Sequence, residues 1–577
     1  MTQEKNMLKY LKKYWYWCLL APLFMVGEIT MDLLQPDLMA KIVDDGVLAG
    51  NMDIIVSTGV RMILLVIIGG LCGVLCGVFT NLASQNFAND LRKSLFAHIM
   101  NLSFGDTDKI STGSLVTRLT NDVTQVQNMV SMSMRGVVRS GIMFVGGIVM
   151  LALQSPKFAL VTACALPFVV AFVIFFLRKA SPMFSLVQKK LDGVNNVMQE
   201  DVAGARVVKA YVKEEHELER FDRANDALCK VNLKVQYLLA FMGPCMNIVL
   251  NLCVIAVIFI GGMSVRDGGT MRPGEIIAAI TYVAMILHGV VFMAGIFQTF
   301  TRAKASVDRI NEVLACRTSA EGGGFSGQTE RRGEIEFRGV SFAYPGAGDG
   351  SEVLKDINLK IKSGETFAIL GATGSGKSTL VNLIPRFYDA TEGNILIDGI
   401  NVKDYDTTLL RDKIAIVLQK AELYSRPIEA NIRWGKDSAT PSEIKEAATV
   451  AQADDFICAT ANGYYTLVSE GGHSLSGGQK QRISISRAIL RDAEIMIFDD
   501  STSALDLGTE AKLYASLGKA KPGVTKIIIA QRIASVKNAD RIAVLDDGMI
   551  SAVGNHDELM KTSDIYRDIY NSQLKAD

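Results

Sequence analysis

Two stretches in the second half of the chain carry residue types suited to binding a nucleoside triphosphate. Residues 371–378 read GATGSGKS, which fits the pattern G-x-x-x-x-G-K-[ST]. Glycines let backbone N–H groups approach phosphate oxygens, the lysine offsets their charge, and the serine hydroxyl is a ligand for Mg²⁺. Downstream, the apolar run 495–498 ends in Asp499 and Asp500. A hydrophobic strand followed by two acids predicts the side of a nucleotide site that holds the metal and the attacking water.

A phosphate-binding loop requires a strand before it and a helix after it, and the surrounding sequence supplies both. The run Thr366–Leu370 is short and apolar, and residues 378–384 continue with helical character. The N-terminus of such a helix favours negative charge. Lys377 is expected on the β- and γ-phosphates, and Ser378 on Mg²⁺. The other predicted nucleotide contacts of the loop are Gly371, Thr373, Gly374, Ser375, Gly376 and Thr379.

The second half as a whole has the pattern of an α/β domain. Short β-rich runs at 366–370, 414–418, 495–498 and 526–530 alternate with helical segments, which predicts a largely parallel sheet. A Gly/Ser-rich stretch at 318–330 precedes this pattern and marks a domain boundary.

The first 300 residues hold most of the apolar side chains that make the whole chain 49% hydrophobic. A membrane-spanning helix needs about 20 mostly apolar residues. Six runs of that length in 300 residues favour membrane spans over buried helices of a soluble protein. The candidate spans are 15–39, 54–79, 130–153, 158–177, 237–263 and 276–300.

Basic residues give these spans an orientation. The connections near Gly50, Pro156 and Gly268 are short, whereas those at 80–130 and 178–236 are long, polar and helical in character. The long connections carry many lysines and arginines, some directly beside a span, and so does the N-terminus, so all are expected in the cytoplasm. The first apolar run is long and lacks an A-x-A-like cleavage site, which predicts an uncleaved span. The formal net charge of zero suggests no nucleic-acid partner.

Glu28 and Asp32 lie in the first span, four residues apart and so on one helix face. Acids at membrane depth are costly and usually face a cavity or a partner. They are interpreted either as a cation-attracting or proton-linked site, or as wetted acids near the outer mouth. Arg61, Arg135 and Arg139 are the candidate partners.

Four further segments accompany the phosphate loop: Tyr344 before it, Gln419 after the run 414–418, LSGGQ at 475–479, and SALD at 503–506. With these motifs in this order the chain resembles the ATP-binding-cassette (ABC) transporters, and more narrowly the exporter-type half-transporters. The resemblance covers nearly the whole chain and includes STGSLVTRLTND at 111–122.

The resemblance implies a multidomain membrane protein. An all-α six-helix transmembrane domain (1–315) and a linker (316–333) would precede an α/β P-loop nucleotide-binding domain with an antiparallel β subdomain (334–577). It also implies ATP and Mg²⁺ as cofactors. Tyr344 would stack on adenine, Asp499 would bind Mg²⁺ directly or through water, and Gln419 would sense Mg²⁺ and the membrane domain. Asp506 would lie at the nucleotide. The signature residues expected on the γ-phosphate of a nucleotide bound to the opposite subunit are Ser476, Gly477, Gly478 and Gln479.

Two positions depart from the family pattern. The second acid after the strand is usually Glu, the general base, but here it is Asp500, whose carboxylate is drawn back by about an ångström; a ~1 Å misplacement can cost about 100-fold in rate. The switch His after the run 526–530 is replaced by Gln531, which cannot carry imidazolium charge or relay a proton. The intact signature beside this degenerate catalytic pair predicts a heterodimer. The alternative is a homodimer with two slow sites.

The function implied is a subunit of an ATP-driven exporter for a drug, lipid or peptide, in a bacterial plasma membrane with its nucleotide domain in the cytoplasm. The alternatives on the same fold are an ATP-gated regulatory or channel-like protein and an importer. Helices at the tips of the long connections, near 104–113 and 205–212, would dock on the nucleotide domains, one on this chain's own domain and one on the partner's. A second half-transporter and membrane lipid are the expected partners.

Overall fold

The computed structural model describes residues 4–266, 271–316, 322–325, 329, 332–344, 351–472 and 474–574. Much of the expected linker at 316–333, and the turn expected near Gly268, lie outside the described residues. The chain forms two compact units. The first comprises Met1–Ile99 and Gly113–Ala315, and the second comprises Met100–Thr112 and Cys316–Asp577.

The first unit is built from helices, and six in its described part are long and apolar enough to cross a membrane, as predicted. They are longer than the apolar runs because the helices continue into the polar segments on either side. Their bounds, π-helical turns included, are Trp15–Val47, Met52–Met100, Thr112–Gln154, Pro156–Ala203, Glu214–Arg266 and Pro273–Ala315. We call them the first to sixth spanning helices. Shorter helices at Glu4–Lys12 and Ala205–Ala210 precede the first and fifth.

Some faces of the spanning helices are buried against other helices, and others are exposed and apolar. Met25, Ile29 and Leu33 recur every four residues on the first helix and are buried against the sixth, where the Tyr282 hydroxyl donates to the Leu33 carbonyl at 2.8 Å. The second helix instead exposes a row of aliphatic side chains, including Val60, Ile67 and Leu71. In a membrane such a row faces lipid.

A polar cluster joins the third and sixth spanning helices outside the apolar runs. The buried carboxylate of Asp122, the last residue of the 111–122 segment, accepts from Ser306 Oγ at 2.8 Å and from Arg309 Nε at 2.8 Å. Arg118, one turn earlier, donates to Glu312 at 2.8 Å. Each buried charge is therefore paired, as burial of an ion requires.

The second unit contains two sheets in its described part. The antiparallel sheet has the strand order β2-β1-β4-β5, and the other has the order β10-β9-β3-β8-β7-β6. The strands are β1 (Ile335–Phe342), β2 (Leu354–Ile361), β3 (Thr366–Leu370), β4 (Glu392–Ile397), β5 (Ile400–Asn401), β6 (Ile414–Val417), β7 (Ile495–Asp499), β8 (Thr525–Ile529), β9 (Arg541–Asp546) and β10 (Met549–Gly554).

The four predicted runs are β3, β6, β7 and β8, and they pair in parallel, which confirms the sequence-based expectation. Their side chains are buried on both faces between two apolar clusters, and continuous apolar runs are what such a sheet requires. The helices of this unit are Phe104–Lys109, Lys377–Asn382, Thr407–Asp412, Ile428–Arg433, Pro441–Val450, Asp454–Cys458, Gly477–Leu490, Leu507–Ala520, Ile533–Val536, His556–Thr562 and Asp564–Leu574.

The order of the central strands determines where the site lies. Because β8 lies between β3 and β7 and all three are parallel, their carboxyl ends meet at one edge of the sheet. The phosphate loop follows β3, the paired acids end β7, and Gln531 follows β8. Ligands of open α/β sheets bind at this edge.

Candidate functional site

The phosphate loop, residues 371–378, has a backbone that only glycine adopts easily at two of its positions. Gly374 and Gly376 have φ of +86° and +98°, in the left-handed region. Gly371 is confined differently, since a Cβ there would lie 2.2 Å from the Leu545 carbonyl oxygen. Ser375 Oγ is buried without a hydrogen-bond partner among the described residues. A turn of this shape with an orphaned hydroxyl fits a phosphate group.

Lys377, the first residue of the helix after the loop, is buried and turned back onto the loop. Its ammonium donates to the carbonyls of Gly371 at 2.9 Å and Ala372 at 2.6 Å. Burial lowers its pKa, against the opposing effect of the nearby Asp500 and Asp499 charges. Among the described residues the ammonium bonds backbone carbonyls and no carboxylate, so it is available for phosphate oxygens.

Ser378 and Asp499 meet across the loop and β7, with Ser378 Oγ donating to Asp499 Oδ1 at 2.8 Å. Asp499 is 4% exposed, and burial raises the pKa of its carboxyl above the usual value. A hydroxyl beside a carboxylate is an oxygen pair of the kind that Mg²⁺ takes together with substrate phosphates. The residues present thus fit ATP with Mg²⁺. ATP would supply the phosphoryl group, and Mg²⁺ would neutralise its charge.

Asp500 is the meeting point of the two glutamines that the sequence singled out. Its Oδ2 accepts from Gln531 Nε2 at 3.0 Å and from Gln419 Nε2 at 3.4 Å. Its backbone is left-handed, with φ of +44°, and its N–H donates to the Ile529 carbonyl at 3.1 Å. The carboxylate at the position of a general base is thus held between two amides.

Gln573, which belongs to no sequence motif, holds the loop that carries Gln531. Its carboxamide donates to the Gln531 carbonyl at 2.7 Å and accepts from the Ile533 N–H at 2.9 Å. The C-terminal helix thereby satisfies both backbone groups of the turn after β8. A pair of hydrogen bonds spanning about forty residues leaves no local sequence signal.

Tyr344, the predicted adenine-stacking residue, lies beside the phosphate loop, with its hydroxyl 3.0 Å from Thr379 Oγ1. Its ring meets Phe342 and Tyr388 nearly edge-on, at centroid distances of 5.0 and 5.3 Å. The side chain is 36% exposed. The aromatic neighbours thus fix the ring while leaving part of it open to a ligand.

The signature residues form a second cluster rather than part of the first. Ser476 and Gln479 cap the helix Gly477–Leu490 reciprocally: the side-chain oxygen of each accepts from the backbone N–H of the other. Gly478 lies close to the segment after Asp500, since a Cβ there would be 3.0 Å from the Ala504 carbonyl oxygen. The Ala504 N–H donates to Gln481 of the same helix at 3.2 Å. The two clusters are thus joined through residues 501–505.

Asp506 caps the helix Leu507–Ala520. Its carboxylate accepts from the Thr509 hydroxyl at 2.7 Å and the Thr509 N–H at 2.9 Å. These bonds hold its pKa below the usual value. The role visible in the structure is therefore to fix the start of this helix, and contact with a nucleotide stays a prediction.

The two predicted connection tips are short helices, at Phe104–Lys109 and Ala205–Ala210. The first belongs to the second unit, where Phe104 stacks on Phe387 at a centroid distance of 4.3 Å and lies 6.4 Å from Tyr388. The second has no buried residue.

In the first unit Arg139 pairs with both acids of the first span. Its guanidinium lies 2.6 Å from Glu28 Oε1 and 3.6 Å from Asp32 Oδ2. Of the three candidate arginines, Arg139 is therefore the one that makes the ion pairs. Glu28 Oε2 is buried without a partner among the described residues, and a Cβ on Gly73 would lie 2.9 Å from it.

Two family models match the chain: an ABC transporter transmembrane region over residues 18–290, and an ABC transporter over residues 354–503. The uncharacterized ABC transporter ATP-binding protein YfiB of Bacillus subtilis is 40% identical over 98% of both chains. The ATP-dependent lipid A-core flippase of Syntrophus aciditrophicus is 32% identical over 96% of this chain and 91% of that one.

A solved structure of a bacterial Atm1-family ABC exporter with ATP bound superposes with a TM-score of 0.82. The alignment covers 96% of this chain and 98% of that one at 24% identity. This likeness concerns the fold: six spanning helices followed by a nucleotide-binding domain.

Proposed function

Because the chain belongs to the ABC transporter family, we propose that it is one of two different half-transporters of an ATP-driven exporter, and that its own nucleotide site is slow. The family supplies the premise: a multi-pass protein of a bacterial inner membrane, with six spanning helices and a cytoplasmic domain that binds and hydrolyses ATP. The heterodimer, the slow site and the substrate class are the proposal.

The geometry at Asp500 is the observation that supports slow hydrolysis at this chain's own site. A general base has to reach the attacking water and carry the proton away, so its position must be accurate. The Asp500 side chain is one methylene shorter than that of Glu, and its carboxylate already accepts hydrogen bonds from Gln531 and Gln419. Gln531 donates through a neutral amide and cannot relay a proton. The site therefore has the groups to bind ATP but a weak base to activate water.

The second cluster supports the heterodimer. The signature helix carries the full LSGGQ sequence and a complete capping box at Ser476 and Gln479. An intact signature has a use only if it completes another phosphate loop, which in this family belongs to the opposite subunit. We infer that the partner has Glu and His at the positions of Asp500 and Gln531, and that its site turns over.

An amphipathic or hydrophobic substrate fits the membrane domain. A cavity of about 360 Å³ lies between the fourth, fifth and sixth spanning helices and is lined by Met242, Met246, Leu250, Asn247 and His288, among others. His288 Nδ1 donates to the Ala284 carbonyl at 2.8 Å, which leaves Nε2 for a second partner. Flexible methionines accommodate varied apolar shapes. A relative named for lipid A-core flipping is consistent with this class.

Co-purification from the native membrane, followed by single-turnover ATP hydrolysis, tests the proposal. The chain alone is expected to bind ATP and turn it over very slowly, and a second half-transporter with Glu and His in its site should accompany it. A homodimer of this chain that hydrolyses ATP briskly would refute both the slow site and the heterodimer.

Restoring the family residues tests the cause of the slowness. Asp500→Glu with Gln531→His should raise single-turnover hydrolysis at this chain's site by about 100-fold, the factor that ~1 Å of misplacement can cost. Gln85→His, at an exposed glutamine of the second spanning helix and outside the site, is the matched control. If the double variant hydrolyses no faster than the wild type, slowness has another cause.

A further inference from the structure

A second cavity in the first unit lies at the cytoplasmic end of the membrane domain, away from the cavity assigned to substrate. It has a volume of about 480 Å³, within the roughly 300–1,000 Å³ range of ligand sites. Its walls come from the second, third and sixth spanning helices and the N-terminal helix Glu4–Lys12. The residues that line it include Met7, Leu11, Phe87, Met129, Phe300 and Lys304.

The N-terminal helix forms one wall and is held in place by polar contacts on the second spanning helix. Tyr10 and Ser94 share a hydrogen bond of 2.5 Å. Lys13 and Tyr14 both donate to Asp90, at 2.9 and 2.8 Å. The cavity is therefore bounded by a fixed element rather than by a loose chain end.

The cavity lies at the level of the membrane surface. The first spanning helix begins at Trp15, and Trp15, Tyr16 and Trp17 form a cluster of rings at its start. Tryptophan and tyrosine concentrate at the boundary between lipid and water. Since the N-terminus is cytoplasmic, the helix just before this cluster lies at the headgroup level of the inner leaflet.

The cavity is apolar inside and basic at its edge. Met7 and Leu11, four residues apart, face inward with Phe87 and Phe300, whereas Lys9 and Lys12 are exposed on the same short helix. Lys304 lines the cavity and takes part in no ion pair among the described residues. An amphipathic helix with lysines on its polar side favours anionic lipid.

We propose that this cavity binds one anionic membrane lipid of the inner leaflet, with an acyl chain among the apolar side chains and the phosphate against Lys304. The lipid is a resident of the transporter rather than its cargo. Its site lies outside the nucleotide domain and is independent of the proposed slow ATP site.

Native mass spectrometry of the full transporter in detergent tests the proposal, with phosphatidylglycerol and phosphatidylcholine of identical chains as probes. We expect one phosphatidylglycerol per copy of this chain to bind about tenfold more tightly than phosphatidylcholine, because the choline ammonium offsets the phosphate charge that phosphatidylglycerol leaves available to the lysines. Lys304→Glu should remove this preference, and soluble glycerol phosphate should not compete because it lacks an acyl chain.

Two pairs of variants separate a specific site from the general lipid coat. Met129→Trp fills the cavity and should abolish the tight adduct, whereas Val145→Trp, on the same spanning helix at a position 60% exposed, should not. Lys190→Glu reverses an exposed lysine elsewhere and should match the wild type. Equal binding of both lipids, or equal loss in Lys304→Glu and Lys190→Glu, would overturn the proposal. ATP turnover measured alongside reports on the nucleotide site separately.

Discussion

At the scale of single residues, the nucleotide site separates groups that bind from a group that would have to react. Lys377, Ser378 and Asp499 have positions and partners suited to holding phosphate and Mg²⁺. Asp500 is occupied by two amide donors. Under the proposed function, a one-methylene change between Glu and Asp, together with the Gln at the next strand's end, would separate binding from turnover.

Burial of the ionised Asp499 carboxylate should lower the stability of the nucleotide domain when no nucleotide is bound. Burial raises its pKa above the unfolded-state value of about 3.9. Its proton thus binds more tightly in the folded state, so its contribution to stability is largest below pH 4 and is lost as pH rises through the folded pKa. Asp499→Asn should therefore raise the melting temperature without nucleotide and reduce the shift caused by Mg²⁺ and ATP.

Differential scanning fluorimetry with and without nucleotide measures both effects. Asp437→Asn, the same change at an exposed acid, should leave both melting temperatures unchanged. A lower melting temperature for Asp499→Asn in the unloaded protein would show that the Ser378 bond outweighs the burial of the charge.

The site residues that could be predicted from the sequence are those whose neighbours along the chain impose their geometry. The phosphate loop is one continuous turn between a strand and a helix, so its chemistry can be predicted from eight letters. The convergence of Gln419, Asp500 and Gln531 required the strand order, which no local pattern contains. Gln573 required the packing of the C-terminal helix, which has no sequence motif.

At the scale of secondary-structure elements, the boundaries could be predicted where burial alone determines them. The buried strands β3, β6, β7 and β8 were placed within one residue because each is an unbroken apolar run. The spans were placed for the same reason. Their polar continuations were predicted as long connections of helical character, and the helices do extend through them, because charged residues on a helix surface do not interrupt its backbone.

The C-terminal helix, Asp564–Leu574, positions the loop that carries Gln531, and it does so through Gln573. Gln573→Glu retains an acceptor for the Ile533 N–H but places a carboxylate against the Gln531 carbonyl. We expect faster amide hydrogen exchange at residues 530–535 and faster release of ATP from this chain's site. Loss of one such hydrogen bond typically costs about 0.5–1.5 kcal/mol.

Stopped-flow release of a fluorescent ATP analogue measures this effect. Ser572→Ala is the neighbouring control, because within the described part of the chain its hydroxyl bonds just the Ile569 carbonyl, at 2.8 Å. Unchanged exchange and unchanged release in Gln573→Glu would show that the loop holds its conformation without the C-terminal helix.

At the scale of the whole molecule, the helix Phe104–Lys109 connects the two functions by chain continuity. It follows the second spanning helix directly in sequence, yet it belongs to the unit that contains the nucleotide site. Phe104 is the contact residue, through its stack on Phe387. The covalent chain thus passes from the membrane helices to the nucleotide domain and back within about a dozen residues.

Removing the Phe104 ring should uncouple hydrolysis from transport. Phe104→Ala loses the stack, so closure of the nucleotide domains would no longer bias the membrane helices. We expect ATP turnover of the complete transporter within about twofold of wild type, but a several-fold lower transport rate per ATP in vesicles. Phe104→Tyr, which keeps the ring, should behave as wild type. Equal transport per ATP in Phe104→Ala would place the coupling elsewhere.

In the proposed transporter, this chain contributes a weak base to its own nucleotide site and a working signature to the partner's site. Steady-state ATP hydrolysis by the complete transporter, with Asp500→Asn or Gly477→Asp in this chain alone, tests it most directly. The fold tolerates the second change, because a Cβ on Gly477 would lie 3.7 Å from Ala504 Cβ and acids suit the first turn of a helix. We predict that Asp500→Asn retains at least about half of the activity, while Gly477→Asp loses about 100-fold through misplaced charge at the partner's site. Loss of activity to the same extent in both variants would mean that Asp500 is a working base, and would contradict the account.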